Sequence, residues 1–164
     1  MDSGLPPFQR FLEDNRDAVW RFLAASVGPH DADDCFQETF IAALRAYPRL
    51  RPNSNLRGWV LTIAHRKAMD SHRARTRRAL PVGGPEQLEA RGGGGLDPAA
   101  GGRRDAELWE AVHDLPARQR SAVVLRYAGD LPHRDIAAAI GCSEEAARRS
   151  LHEGLSKLRK AVAA

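Results

Sequence analysis

The sequence predicts an all-α protein: two small helical domains joined by a flexible, Gly- and Pro-rich linker. Three observations lead there. Ala and Leu are abundant while aromatic residues make up only 6% of the chain, a balance that favours helices over strands. Apolar residues recur at helical spacing both early and late in the chain. Between those stretches, residues 79–104 read ALPVGGPEQLEARGGGGLDPAAGGRR, with eight Gly and three Pro among 26 residues and no surviving periodicity. A flexible coil of that length holds its ends on the order of 28 Å apart. The expected division is therefore a first module over 1–78, the linker over 79–104 and a second module over 105–164.

The 164 residues carry a formal net charge of +4, and the charges are segregated rather than spread. Two cysteines, Cys35 and Cys142, match neither a disulfide framework nor a metal-binding pair, which points to a reducing compartment. No basic-then-apolar leader and no run of roughly 18 apolar residues is present, so a cytoplasmic protein without membrane insertion is expected.

In the first module, Phe8, Phe11, Leu12, Val19, Phe22 and Leu23 space a helix with an acidic centre. A second helix is expected from about Asp33 to Tyr47, with Phe36, Phe40, Leu44 and Tyr47 as its apolar stripe and acids in its first turn, where the helix dipole favours them. Pro48 helps to end it. A third helix runs from Leu56 to Arg77, with Leu56, Val60 and Ile63 packed and Arg66, Arg73 and Arg77 on another face. Residues 57–78 hold seven Lys or Arg against the single acid Asp70. That one-sided sign suits nucleic acid better than a merely solvated face. Trp59 could stack on a base, but its neighbours Val60 and Ile63 favour core packing.

In the second module, Leu108, Val112 and Leu115 form a short helix that stops at Pro116. Val123, Val124 and Tyr127 sit in the next, and Gly129 and Pro132 break the chain. Ile136, Ala137 and Ile140 mark a helix that turns at Gly141. Ser143 is a good N-cap for a last helix with Glu144 and Glu145 in its first turn and Ala147, Leu151, Leu155 and Leu158 inward. A short helix, a Gly turn and an amphipathic helix displaying Arg148, Arg149 and His152 form a helix-turn-helix pattern, though a plain helical hairpin has similar spacing. Such a second helix fits the major groove, where Arg donates two hydrogen bonds to a guanine edge.

Four segments together carry a resemblance to a family. DADDCFQETFIAAL, WVLTIAHRKAMDSHR, LPARQRSAVVLRYAGDL and GDLPHRDIAAAIGCSEEAARRSLHEGLSKLR resemble, in order and spacing, extracytoplasmic-function (ECF) RNA polymerase sigma factors, the group 4 members of the sigma-70 family. The resemblance implies a region 2 helical bundle, a region 4 helix-turn-helix and no catalytic chemistry. It implies promoter-specific transcription initiation in partnership with core RNA polymerase, through its β′ clamp helices and β flap, and with promoter DNA, under the control of an anti-sigma factor. By motif, Asp33, Asp34, Gln37, Glu38 and Thr39 become the polymerase-docking residues. Arg51, Asn53, Ser54 and Asn55, in a loop that captures a base flipped from the minus-10 strand, join Arg66, Arg73 and Arg77 for minus-10 DNA. Arg134, Glu145, Arg148, Arg149, Ser150, His152 and Glu153 are implied for the minus-35 element.

Departures and rivals accompany this reading. The recognition helix has Arg148-Arg149-Ser150 where the family commonly places basic, Ser, Arg. Glu153 stands at a position often Arg, and either pairs with Lys157 or accepts from a cytosine amine. Gly154 adds flexibility worth roughly 0.5–1 kcal/mol against Ala. Arg66 replaces a frequent Asn. The acids Asp31, Asp33, Asp34 and Glu38 could hold Mg²⁺ but lack a complementary carboxylate group. His65 and His72 lack companions at ligand spacing, and Gly92–Gly95 are not a phosphate loop. No metal or cofactor is expected. A stand-alone helix-turn-helix regulator and a metal-dependent hydrolase are the competing functions; the first needs neither the acidic helix nor the polar loop before Trp59, and the second lacks a ligand set.

Overall fold

The computed structural model describes residues 4–79 and 102–164, and among them every regular element is helical. The first module comprises α1 (Phe8–Val27), α2 (Pro29–Ala46), a 3-10 turn (Tyr47–Arg49) and α3 (Leu56–Ala79); the second comprises α4 (Arg103–His113), α5 (Ala117–Tyr127), α6 (His133–Ile140) and α7 (Glu144–Ala163). Most of the linker anticipated over 79–104 lies outside the described residues, and α4 begins at Arg103.

The α1–α2 corner follows from two residues. Gly28 adopts φ 83°, a conformation costly to any side chain, and Pro29 opens the next helix, where its missing N–H is no loss. Phe11, Val19, Phe22 and Leu23 of α1 then meet Ala32, Cys35, Phe40 and Ala43 of α2 and Val60, Leu61, Ala64 and Ala68 of α3 in a sealed core. At one end Phe11 lies 5.1 Å from Tyr47 and 5.8 Å from Trp59, ring centre to ring centre. Trp59 is thus a packing residue, half-buried in an aromatic cluster.

Two expected stripes are corrected. On α2 the inward positions are Ala32, Cys35, Thr39, Phe40 and Ala43, while Leu44 is 54% exposed. Small side chains let α2 approach its neighbours closely, so the inner face runs one position away from the bulky residues that suggested it. On α3, Leu56 and Ile63 are only half-buried, and Leu61, Ala64, His65 and Ala68 join Val60 inside. The cause is that α3 is covered from two sides, by α1 and α2 and by α5 and α6 of the second module, which widens the buried arc beyond a single stripe.

In the second module Gly141, at φ 72°, ends α6 in the left-handed conformation, and the Ser143 hydroxyl caps α7 by accepting from the Ala146 N–H at 3.1 Å. Arg120 donates to the carbonyls of Val112, His113 and Leu115, satisfying the end of α4 and fixing its angle to α5. Burial lowers the pKa of that guanidinium, and neighbouring Asp114 opposes the shift. Leu108, expected to pack, is exposed, and Leu155 is half-buried beside the fully inward Ala147, Leu151 and Leu158.

Gly154 proves to be a contact residue rather than a flexible one. A Cβ there would stand 2.9 Å from Val123 Cγ2 of α5 and 3.4 Å from Gln119 Cβ, so the missing side chain lets α7 lie directly on α5. Helix propensity alone has Gly154→Ala stabilising by roughly 0.5–1 kcal/mol. The packing reverses the sign, and urea denaturation of this variant is expected to show a loss of about 1–2 kcal/mol, the cost of overfilling a tight contact.

Candidate polymerase and DNA interfaces

Three exposed faces gather most of the residues singled out by sequence. On α2, Asp33, Asp34, Gln37 and Glu38 are exposed together. Thr39 is not among them: its side chain is fully buried and donates to the Cys35 carbonyl at 2.6 Å, so it belongs to the core and its assignment to the docking face is corrected. The face continues instead through Ile41, 50% exposed, and Leu44, to exposed Arg45. Ile41 was overlooked because it falls outside the supposed core stripe, although its place seven residues after Asp34 puts it on the acidic face. Asp31, at the helix start, forms an ion pair with Arg75 of α3, which ties α2 to α3 and accounts for that acid without a metal. Among the described residues no group of His, Cys, Asp and Glu has the arrangement of a metal site.

The second face combines α3 with the loop before it. Arg66, Arg73 and Arg77 are exposed, Arg73 lying 3.9 Å from Asp70. Their separations of seven and four residues keep them on one side of the helix. In the loop, Arg51 and Asn53 are exposed, with Asn53 at φ 66°, a left-handed conformation Asn tolerates. Ser54 donates from its hydroxyl to the Arg51 carbonyl at 2.6 Å. Asn55 caps α3, its Oδ1 accepting from the Gly58 N–H at 3.1 Å, while its Nδ2 donates at 2.7 Å to the Gly129 carbonyl of the second module. Arg57 donates from Nε to Asn15 Oδ1 at 3.1 Å and from a terminal nitrogen to the Asp14 carbonyl at 2.8 Å, binding the loop to α1.

The third face is the outer side of α7 with the start of α6. Arg134, Glu145, Arg148, Arg149, His152 and Glu153 are all exposed. Ser150 is the exception, buried beside Ala147 and Leu151 on the inward stripe, and its assignment to DNA is corrected on that ground. Arg148 is held by Glu144 at 2.9 Å, whereas Arg149 and His152 make no hydrogen bond or ion pair among the described residues. Glu153 accepts from Gln119 Nε2 at 3.0 Å rather than from Lys157.

An exposed acidic face around apolar residues on α2, a basic face on α3 beside a polar loop and a capped outer helix in the second module define a class by architecture: an all-helical protein with two modules and three separate exposed faces. Residues 11–78 match Sigma-70 region 2, and residues 105–158 match Sigma-70, region 4. The probable RNA polymerase sigma-C factor of Mycobacterium bovis is 35% identical over 136 residues, covering 82% of this chain and 71% of its own. The ECF sigma factor SigD of Mycobacterium tuberculosis is 31% identical over 170 residues, covering 93% and 76% respectively. The chain belongs to the ECF RNA polymerase sigma factors, a family of initiation factors that bind core polymerase and direct it to promoters. Among solved structures, the sigma factor RpoE in complex with the anti-sigma factor NepR from Bartonella quintana shares the fold at a TM-score of 0.68 and 23% identity, covering 94% of this chain and 96% of that one. CnrH in complex with the cytosolic domain of CnrY follows at 0.56 and 19%, covering 93% and 85%.

The two modules meet through a buried pair, His65 Nδ1 and Ser121 Oγ at 3.0 Å. Burial lowers the His65 pKa to about 4, with Arg66 adding in the same direction. The ring is therefore neutral when packed but charges below about pH 6.5 wherever it is exposed. Acid favours the exposed state, and between pH 7 and 5 the packed chain is expected to lose about 2 kcal/mol from this group. Urea melts across that range should show the loss, and His65→Gln should flatten it; equal slopes for both chains would exclude His65 as the cause.

Proposed function

We propose a division of labour in which the first module, over 1–78, docks on the β′ clamp helices and opens the minus-10 element, while the second, over 105–164, reads the minus-35 element and meets the β flap. The observation that carries this reading is the composition of the exposed α2 face: Asp33, Asp34, Gln37 and Glu38 flank Ile41 and Leu44 although the core beneath is already closed. An apolar centre rimmed by charge is the anatomy of a protein interface, where charge sets register and on-rate and the apolar centre sets affinity. Among the described residues no helix is long and apolar enough to cross a membrane. The chain acts by binding, with no reaction of its own.

Strand capture falls to Arg51, Asn53, Ser54 and Asn55, with Arg66, Arg73 and Arg77 neutralising phosphates. An unstacked base costs a few kcal/mol, which pocket and phosphate contacts must return. Duplex reading falls to Arg134, Glu145, Arg148, Arg149, His152 and Glu153. Control by an anti-sigma protein is supported by the shared fold with RpoE and CnrH, whose solved complexes hold NepR and the cytosolic domain of CnrY.

Run-off transcription with purified core polymerase over a promoter library tests the reading: promoter-dependent initiation is expected, and none under any condition would refute it. On the docking face, Ile41→Ser with Leu44→Ser is expected to weaken core polymerase binding by tenfold or more, about 1.4 kcal/mol, with unchanged melting because neither side chain is in the core. Arg149→Ala should cost roughly 1–3 kcal/mol of discrimination at one minus-35 position if the contact is bidentate. A loss equal across all sequences would mark a phosphate contact instead.

A further inference from the structure

The Asn55 side chain has two ends with different duties. Its Oδ1 is committed to the α3 cap through the Gly58 N–H at 3.1 Å, and its Nδ2 donates to the Gly129 carbonyl at 2.7 Å and reaches toward that of Asp130 at 3.4 Å. The amide orientation is set by these partners, since a reversed amide would face donor with donor and acceptor with acceptor. Around it the modules touch at backbone distance. A Cβ on Gly58 would lie 2.7 Å from Gly129 O and 2.6 Å from Leu131 Cδ2, and one on Gly129 would lie 3.3 Å from Gly58 Cα. Asp130, at φ 51°, aims this turn at the loop.

We infer that the Asn55 amide nitrogen is a donor site for a captured base, and that the α5–α6 turn occupies it in the closed chain, with Gly129 O and Asp130 O as stand-ins for the base's acceptors. The inference rests on the strand-capture reading of this loop. The consequence is that capture competes with module packing, because Gly129 O at 2.7 Å and Asp130 O at 3.4 Å take up the two N–H groups of the amide in the closed chain. The closed chain is self-restrained, and the strand gains only the difference between the base contact and the contact it displaces.

The test uses the full chain and single-stranded promoter oligonucleotides carrying each of the four bases at each minus-10 position, with small-angle scattering for compaction. Asn55→Asp keeps a good N-cap and removes the donor. It should expand the chain yet bind the strand about tenfold more weakly than the equally expanded Ser121→Glu. Ser121→Glu, and from the other side His65→Lys, force the modules apart without touching Asn55; each should expand the chain and raise strand affinity above the parent's. A parent chain already expanded, Asn55→Asp binding the strand as tightly as Ser121→Glu, or expansion by Ser121→Glu or His65→Lys without a gain in affinity would overturn the inference. Scattering needs neither DNA nor polymerase, so a chain that is compact yet inert in run-off transcription would reject the promoter reading and leave the clasp standing.

Discussion

The meeting of the residue 51–57 loop with the α5–α6 turn governs the rest of the structure. Gly58 and Gly129 bring two backbones together where neither could carry a side chain, and Asn55 converts that proximity into a hydrogen bond across 74 residues of sequence. Around it Leu131 packs on Gly58, and His65 meets Ser121 in a pocket from which water is largely excluded. Because α3 is covered from both sides, its buried arc widens; Arg57 and Arg75 tie it to α1 and α2, and Arg66, Arg73 and Arg77 are left on one outer face.

Each module is also complete enough to present its own face. The first closes its core with aromatics at one end and alanines along α2, so the acids, Ile41 and Leu44 outside are left free for a partner. The second is set by two locks, Arg120 at the end of α4 and the Gly154 contact between α5 and α7, which hold α7 at a fixed height on its scaffold.

Much of this was legible beforehand. Period and punctuation marked the helices, because Pro116, Gly129, Pro132 and Gly141 interrupt them by local sterics that a sequence displays directly; the corner at Gly28 was missed, and the second helix begins at Pro29 rather than near Asp33. The exposed side of α7 was legible too, since Ala147, Leu151 and Leu158 define an inward stripe and leave Arg148, Arg149 and His152 outside. Failures arose where packing overrode pattern. Thr39 and Ser150 look like surface hydroxyls, yet one returns its hydrogen bond to its own helix and the other sits on the inner stripe. Leu44 looks like core, yet alanines take its place. Gly154 reads as a weakness until Val123 is seen above it. The Asn55 clasp was beyond reach, because nothing local indicates which distant carbonyl a capping amide will find.

The separation of the two modules is the quantity on which the account turns. Spin labels placed on exposed positions of α2 and α7, read by pulsed dipolar spectroscopy, would report it in the free chain and in a complex with core polymerase and promoter DNA. The account predicts one short, narrow distance in the free chain, replaced in the promoter complex by a longer one. A distance unchanged by promoter engagement would contradict it, for the loop would then be gripping Gly129 and a base at the same time.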